Sequence, residues 1–100
     1  GYKKLYEVSS NYYLESKNID EVFKNIEFST QSDEYRFNID ISNIIKSYIE
    51  NKDNINEYFK NNNRFIIDEN RCIVITSFYI NYGEDDLINS YYIGAYILEK

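Results

Sequence analysis

Apolar and polar residues alternate near the start of the chain, and this alternation predicts a strand over about 5–14. The apolar residues of one parity are Tyr6, Val8, Tyr12 and Leu14. After this segment the apolar residues follow helical spacing instead: Ile19, Val22, Phe23 and Ile26. That spacing is one face of a short helix, for which Asn18 or Ser16 is the expected N-cap. A polar loop is expected over 29–33.

The middle of the chain repeats this order of a strand followed by helical segments. Strict alternation over 35–41 predicts a strand with one buried and one wet face. Helical spacing returns near Ser42, and Asp53 is the expected cap of a further helical turn. The run of three asparagines at 61–63 is expected to end that turn, because Asn tolerates turn conformations.

The last third of the chain is rich in β-branched and aromatic residues. A short strand is expected over 64–68 and a long one over 71–82, with a closing strand over 87–98. The two long strands flank the polar turn 83–86, which predicts that they pair antiparallel. Because 71–82 is apolar on both parities, we expect it to be central or covered on both faces. This order of elements predicts one α+β or decorated β-sandwich domain.

Composition excludes several classes of function. The chain has 100 residues, enough for one domain. It carries 17 acidic and 11 basic side chains, and a net charge of −6 argues against a nucleic-acid binder. The sequence contains no histidine, which removes the usual general base and metal ligand. We therefore expect no enzymatic activity and no cofactor.

The remaining candidates for chemistry have plain structural interpretations. The carboxylates of two predicted turns lack the spacing of a calcium loop, so we interpret them as solvated turn residues: Asp68, Glu69, Glu84, Asp85 and Asp86. Cys72 lies in an apolar strand without a histidine to activate it, and is expected to be a buried, inert thiol. Gly94 interrupts a strand, where glycine indicates a bulge or a close backbone approach.

Tyrosine is unusually frequent, at 12 residues. Its apolar ring and polar tip suit half-buried sheets and the rims of interfaces. The surplus falls mainly in the predicted strands: Tyr12, Tyr13, Tyr79, Tyr82, Tyr91, Tyr92 and Tyr96. About half of these are expected to pack within the sheet, and the others indicate an interaction surface.

The segment 90–97 reads Ser-Tyr-Tyr-Ile-Gly-Ala-Tyr-Ile. It resembles a glycine-bearing strand of the TssJ family, the outer-membrane lipoproteins of type VI secretion systems, in the Francisella-type form. The order of elements is similar too, and the opening Gly-Tyr-Lys-Lys looks like the segment that follows a lipidated cysteine. The resemblance implies a mainly β, transthyretin-like β-sandwich with helical insertions, in which 1–4 form a tether and 5–100 one globular domain.

The same resemblance implies a role in virulence without catalysis. A lipid would hold the domain at the periplasmic face of the outer membrane, where it would bind the periplasmic part of an inner-membrane component of the IcmF/TssM type. A second interpretation stays open. Small acidic α+β domains also serve as cytoplasmic immunity or anti-defence proteins, whose charge neutralises a basic toxin or nuclease.

Under either interpretation the partner is a protein, and connecting segments are expected to bind it. Two segments are candidates, the excursion 18–33 and the turn 83–86. The expected partner-binding residues are Tyr12, Tyr13, Asn18, Asp20, Glu84, Asp85 and Asp86. The acidic turn residues are expected to act mainly on the association rate, so that binding weakens as salt rises.

Overall fold

A computed structural model describes the backbone of residues 1–100 and every side chain except those of Leu14, Glu15 and Asp86. The strands are β1 (Lys4–Lys17), β2 (Ile26–Thr30), β3 (Arg36–Ile39), β4 (Arg64–Ile66), β5 (Arg71–Tyr82) and β6 (Ile88–Glu99). The helices are α1 (Ile19–Phe23), α2 (Ser42–Glu50) and α3 (Ile55–Asn61), with short 3-10 turns at Lys52–Asn54 and Glu84–Asp86.

All six strands lie in one antiparallel sheet, in the order β3-β2-β1-β6-β5-β4. The long strands β1, β6 and β5 form its centre, and the predicted antiparallel pairing of β5 with β6 is confirmed. The prediction of a mainly β domain with helical insertions is therefore confirmed. The two-sheet sandwich is not confirmed, because the six strands belong to a single sheet.

The helices pack on one face of this sheet and form the core with it. Phe23 of α1 lies 4.9 Å from Tyr91 of β6, and Tyr48 of α2 lies 4.8 Å from Phe78 of β5, both measured between ring centroids. Tyr48 is fully buried, and its hydroxyl donates to the carbonyl of Asn62 at 2.6 Å. Burial raises the pKa of Tyr48 far above its usual value. This face is called the helix-covered face.

The segment after α1 differs from the structure that its sequence predicts. Two expectations are wrong in part. Ile26 does not belong to the helix but begins β2, and the predicted loop over 29–33 starts later, because β2 runs through Ser29 to Thr30. Ile26 satisfies helical spacing and strand alternation at once, and β2 is too short for its own alternation to decide. The predicted cap is confirmed: the Asn18 side chain accepts from the amide of Glu21 at 2.9 Å.

A bulge explains why β5 is apolar on both parities. Ile75 pairs with Ala95 and Ser77 with Gly94, so two residues advance on β5 for one on β6. Because of this shift, Ile73 and Ile75 before the bulge face the same helix-covered side as Phe78 and Ile80 after it. At the start of β5 both faces are covered, as expected, because Cys72 and Ile73 point to opposite faces and are both fully buried. Farther along the strand, the change of parity accounts for the pattern.

Smaller differences concern Asp53 and the chain start. Asp53 lies within a 3-10 turn and does not cap α3, which begins without a side-chain cap. β1 begins at Lys4, and the amide of Lys3 donates to the carbonyl of Glu99 at 2.9 Å. The sheet therefore includes part of the segment 1–4 for which the resemblance implies a tether.

Candidate functional site

The sheet face that points away from the helices is called the open face, and its side chains form rows across β1, β6 and β5. One row consists of Asn11, Tyr92 and Tyr79. The next row consists of Tyr13, Ser90 and Asn81. Neighbouring rows on one face are two residues apart, about 7 Å along the strand. The three tyrosines are therefore neighbours on one surface.

These tyrosines are exposed although they belong to the three long central strands of the sheet. Tyr13 is 87% exposed, Tyr79 is 66% exposed and Tyr92 is 43% exposed. We call Tyr13, Tyr79 and Tyr92 the tyrosine patch. Rigid aromatic side chains lose little conformational entropy when a partner covers them, and their hydroxyls keep a polar contact available. The patch has the composition of a protein-binding surface.

A shallow groove adjoins the tyrosine patch at Gly94. The row beside Tyr92 consists of Ser9, Gly94 and Ser77, which are all small. They line a groove of about 410 Å³. A Cβ atom at Gly94 would lie 3.3 Å from the Cβ of Ser77, so the glycine allows β5 and β6 to approach at the bulge. The bulge or close approach predicted at Gly94 is thus confirmed.

The acidic turn lies at one end of the open face. Glu84 and Asp85 are exposed, and Asp85 adopts a positive φ of 57° in the turn between β5 and β6. The side chain of Asp86 lies outside the described residues. Lys17 pairs with Ile88 just after this turn, which brings Asn18 to the same end of the sheet. The structure therefore gathers Tyr13, Asn18 and the turn in one region.

Two predicted partner-binding residues lie elsewhere. Tyr12 points to the helix-covered face, where its ring stacks on Tyr91 at 5.7 Å between centroids. Asp20 lies on α1 and forms an ion pair with Lys46 of α2 at 2.9 Å. Strand alternation places Tyr12 and Tyr13 on opposite faces, so only Tyr13 joins the tyrosine patch.

A polar cleft opens where β2 diverges from β1, after the pairs at Val8 and Ser9. Its volume is about 470 Å³, and its lining includes Ser10, Tyr12 and Tyr91. The hydroxyls of Ser10 and Tyr91 are 2.7 Å apart, and burial raises the pKa of Tyr91 while this hydrogen bond opposes the rise. The buried Tyr12 hydroxyl has no hydrogen-bond partner among the described side chains and backbone. A water molecule in the cleft would satisfy it.

Tyr79 and Tyr92 are absent from the partner-binding residues predicted above, although both belong to the tyrosine surplus. The position of Tyr79 on the open face depends on the bulge at Thr76, which sets the parity of β5, whereas Tyr92 lies on β6 and faces the same side by the regular alternation of that strand. A strand read without the bulge places Tyr79 on the same face as Ile73 and Ile75. The sequence signal that points to these two residues is the surplus of tyrosine, once each tyrosine is assigned to one of the two faces of the sheet.

Metal ligation and the thiol of Cys72 are the other candidate chemistries among the described side chains. Among them, no group of three or more Cys, Asp or Glu residues lies close enough to hold a metal ion. Cys72 is fully buried, as predicted, and a hydrogen bond with its thiol raises the pKa of Tyr2. None of the described helices is long and apolar enough to cross a membrane.

Comparison with protein-family models, with curated proteins and with solved structures gives no match for this chain. The proposal for its function therefore rests on its own surface and residues.

Proposed function

We propose that this domain binds another protein and carries out no reaction itself. The observation that carries this proposal is the tyrosine patch, three exposed aromatic side chains in adjacent rows of one sheet face. Tyrosine is enriched at the energetic centres of interfaces, where it supplies apolar area and a hydrogen bond together. The neighbouring asparagine and serine side chains provide the polar surroundings that such a centre needs.

The charge of the domain favours a partner with a basic surface. The chain has a net charge of −6, and Glu84 and Asp85 are exposed beside the patch. An acidic rim accelerates the encounter with a basic partner and is screened by salt. In this proposal the patch supplies most of the affinity, and the acidic turn supplies orientation and association rate.

The first role we propose is recruitment within a type VI secretion membrane complex. The resemblance to TssJ lipoproteins falls on 90–97, and this strand supplies Tyr92 and Gly94 to the open face. A lipid would anchor the domain at the periplasmic face of the outer membrane, and the patch would bind the periplasmic part of an IcmF/TssM-type component. The transthyretin-like sandwich of that family belongs to this proposal as well.

The second role is inhibition of a basic toxin or nuclease in the cytoplasm, and the acidic balance of the chain favours it. Both roles use the same surface, since each requires a protein partner. They differ in the partner, which a direct binding measurement identifies. If the domain binds a nuclease toxin and blocks the activity of that toxin, then inhibition is its role and recruitment is not.

The test compares matched tyrosine variants. Tyr79→Ser and Tyr92→Ser each remove a ring of the patch, and Tyr35→Ser removes a 46% exposed ring that packs near Tyr6 of the helix-covered face. Affinity is measured against the purified periplasmic domain of the IcmF/TssM-type component and, separately, against a candidate basic nuclease toxin. Each patch variant should weaken binding by about tenfold or more, the usual effect at an interface centre. The Tyr35 variant should bind as wild type does.

The charge contribution is tested separately. Reversal of Glu84 and Asp85 to lysine should slow association and reduce its dependence on salt, with little change in dissociation. If the patch variants bind as tightly as wild type while their folds are intact, the tyrosine patch is not the interface. Binding to neither partner class would refute both roles.

A further inference from the structure

We propose that a second copy of this chain pairs with the free edge of β5, so that two sheets join into one continuous sheet. This inference concerns the domain alone and does not depend on the proposed function. Its basis is the difference in length between β5 and β4, the strand that pairs with the outer edge of β5. β5 runs over Arg71–Tyr82, whereas β4 runs only over Arg64–Ile66 and pairs with β5 between Cys72 and Val74.

Beyond β4 the outer edge of β5 is unpaired. Asn63 extends the cover by one position, because its carbonyl accepts from the amide of Ile75 at 2.7 Å. In the described backbone no strand lies outside the segment 76–82. An unpaired strand edge presents a row of amide and carbonyl groups that another strand can bond.

The strand that forms this edge lacks several of the features that keep strands apart. The segment 76–82 reads Thr-Ser-Phe-Tyr-Ile-Asn-Tyr and contains neither a charge nor a proline. Its bulges lie at its two ends and leave the stretch between them regular. The opposite edge of the sheet differs, because β3 has four residues and begins with Arg36. Lys52 of the neighbouring 3-10 turn places one positive charge at the end of this edge, where its Nζ lies 5.7 Å from the centroid of the Tyr82 ring. The strand segment itself carries no charge, so two chains of net charge −6 can approach at its centre without repulsion between acidic side chains of that segment.

The direction of the backbone groups follows from the pairing with Asn63. The Ile75 amide points outward, while its side chain faces the helices. In a strand of L-residues, the side chain and the amide of each residue keep a fixed relation, so residues on one face direct their amides to one edge. Phe78 and Ile80 face the helix-covered side and therefore present their amides and carbonyls at the free edge.

These positions fit a twofold axis. An antiparallel copy that overlaps the whole segment 76–82 has its axis at Tyr79, the central residue. This register pairs Phe78 of one copy with Ile80 of the other, which are residues with outward backbone groups. Tyr79 then meets Tyr79 of the second copy as a directly opposed pair on the open face, where cross-strand aromatic pairs are favourable.

The pairing also covers apolar side chains beside the edge. Two shallow grooves of about 190 Å³ and 230 Å³ lie between β5 and the chain around α3. Ile55 and Phe78 line both of them, and Phe59 and Ile80 each line one. A neighbouring strand would shield these residues from water. The joined sheet would also bring the two tyrosine patches onto one continuous open face.

The test uses a charge swap at the proposed axis. The monomer mass is 12.1 kDa, and sedimentation equilibrium of the wild type at about 100 μM should give twice that mass. At this concentration a dimer with a dissociation constant of about 1 μM is largely formed. Tyr79→Lys and Tyr79→Glu should each weaken dimerisation by about tenfold or more, since like charges then face each other. An equimolar mixture of the two variants should recover the dimer, because opposite charges meet only if residue 79 faces its copy.

Tyr13→Lys is the matched control, since it places the same charge on an exposed residue of the open face away from the β5 edge. This variant should dimerise as wild type does. Circular dichroism checks that each variant keeps the fold. The fold should tolerate a charged residue at position 79, because Tyr79 is 66% exposed. A wild-type monomer at all concentrations would overturn the proposal. So would larger assemblies, or a dimer that both Tyr79 variants leave unchanged.

Discussion

The hydrogen bond between Ser10 and Tyr91 should couple two strands of the core measurably. The hydroxyls are 2.7 Å apart, and Ser10 and Tyr91 are 5% and 6% exposed. Ser10→Ala leaves the Tyr91 hydroxyl buried without this partner, and Tyr91→Phe does the same to the Ser10 hydroxyl. A buried polar group left without its hydrogen bond costs about 1–3 kcal/mol, so each single variant should lose about that much free energy of unfolding.

The double variant should be less destabilised than the sum of the two single variants. Once one hydroxyl is removed, loss of the second no longer breaks a bond and removes an unsatisfied group. We therefore expect a coupling free energy of about 1–2 kcal/mol in the double-mutant cycle. Tyr91→Phe keeps the ring, so its contacts with Tyr12 and Phe23 remain.

Urea unfolding followed by circular dichroism measures these effects. Each single variant should lower the midpoint by about 1 M without a change in the slope m. Tyr92→Phe is the matched control, because it removes a hydroxyl from the next residue, whose side chain is on the open face. It should change the stability by less than about 0.5 kcal/mol. Strictly additive effects of the two core variants would show that the two hydroxyls are not bonded in the folded protein.

Three further outcomes follow from the buried groups and the surface. The pKa values of Tyr48 and Tyr91 lie above the usual 10.0, so stability should fall as pH rises beyond about 10, where the unfolded chain releases phenolic protons that the folded chain retains. Tyr48→Phe should make that fall shallower in urea titrations at increasing pH, and an unchanged slope would contradict the assignment. Cys72 should react slowly with a thiol reagent in the native state, and Tyr2→Ala should accelerate the reaction, since Tyr2 lies against the thiol. Labelling of the wild type within seconds would show that the thiol is accessible. Asp68 accepts from the amides of Asn70 and Arg71, and these bonds help to lower the pKa of its carboxyl, so the stability that the carboxylate gives this turn should be lost as pH falls through that lowered pKa. Asp68→Asn removes this titration, so the amides of residues 69–71 should exchange faster than in the wild type at neutral pH and should approach the wild-type rates at low pH. A difference from the wild type that grows as pH falls would contradict this reasoning.

The sequence predicted the parts of the fold that depend on local pattern. The bounds of β5 and its pairing with β6 followed from two long β-rich segments around one polar turn. Asn18, one of the two predicted helix caps, is confirmed, and the other, Ser16, does not cap α1; the prediction comes this close because capping involves residues only three positions apart. The end of α3 at Asn61 followed from the asparagine run for the same local reason.

The parts that failed depend on partners distant in the chain. Ile26 begins a strand because Ile39 of β3 pairs with it, and no local pattern contains that contact. The bulge at Thr76 is set by the approach of β5 to Gly94, and it decides which tyrosines of β5 are exposed. Tyr12 and Tyr13 were both proposed as binding residues because the sequence alone did not say which face the helices cover.

The tyrosine patch is the surface that we propose binds a protein partner. Tyrosine nitration followed by mass spectrometry, with and without the bound partner, tests this proposal most directly. Binding should protect Tyr13, Tyr79 and Tyr92 and leave the exposed Tyr35 as reactive as in the free domain. Protection of Tyr35, with the three patch tyrosines still fully reactive in the complex, would contradict the account and move the interface to the other side of the sheet.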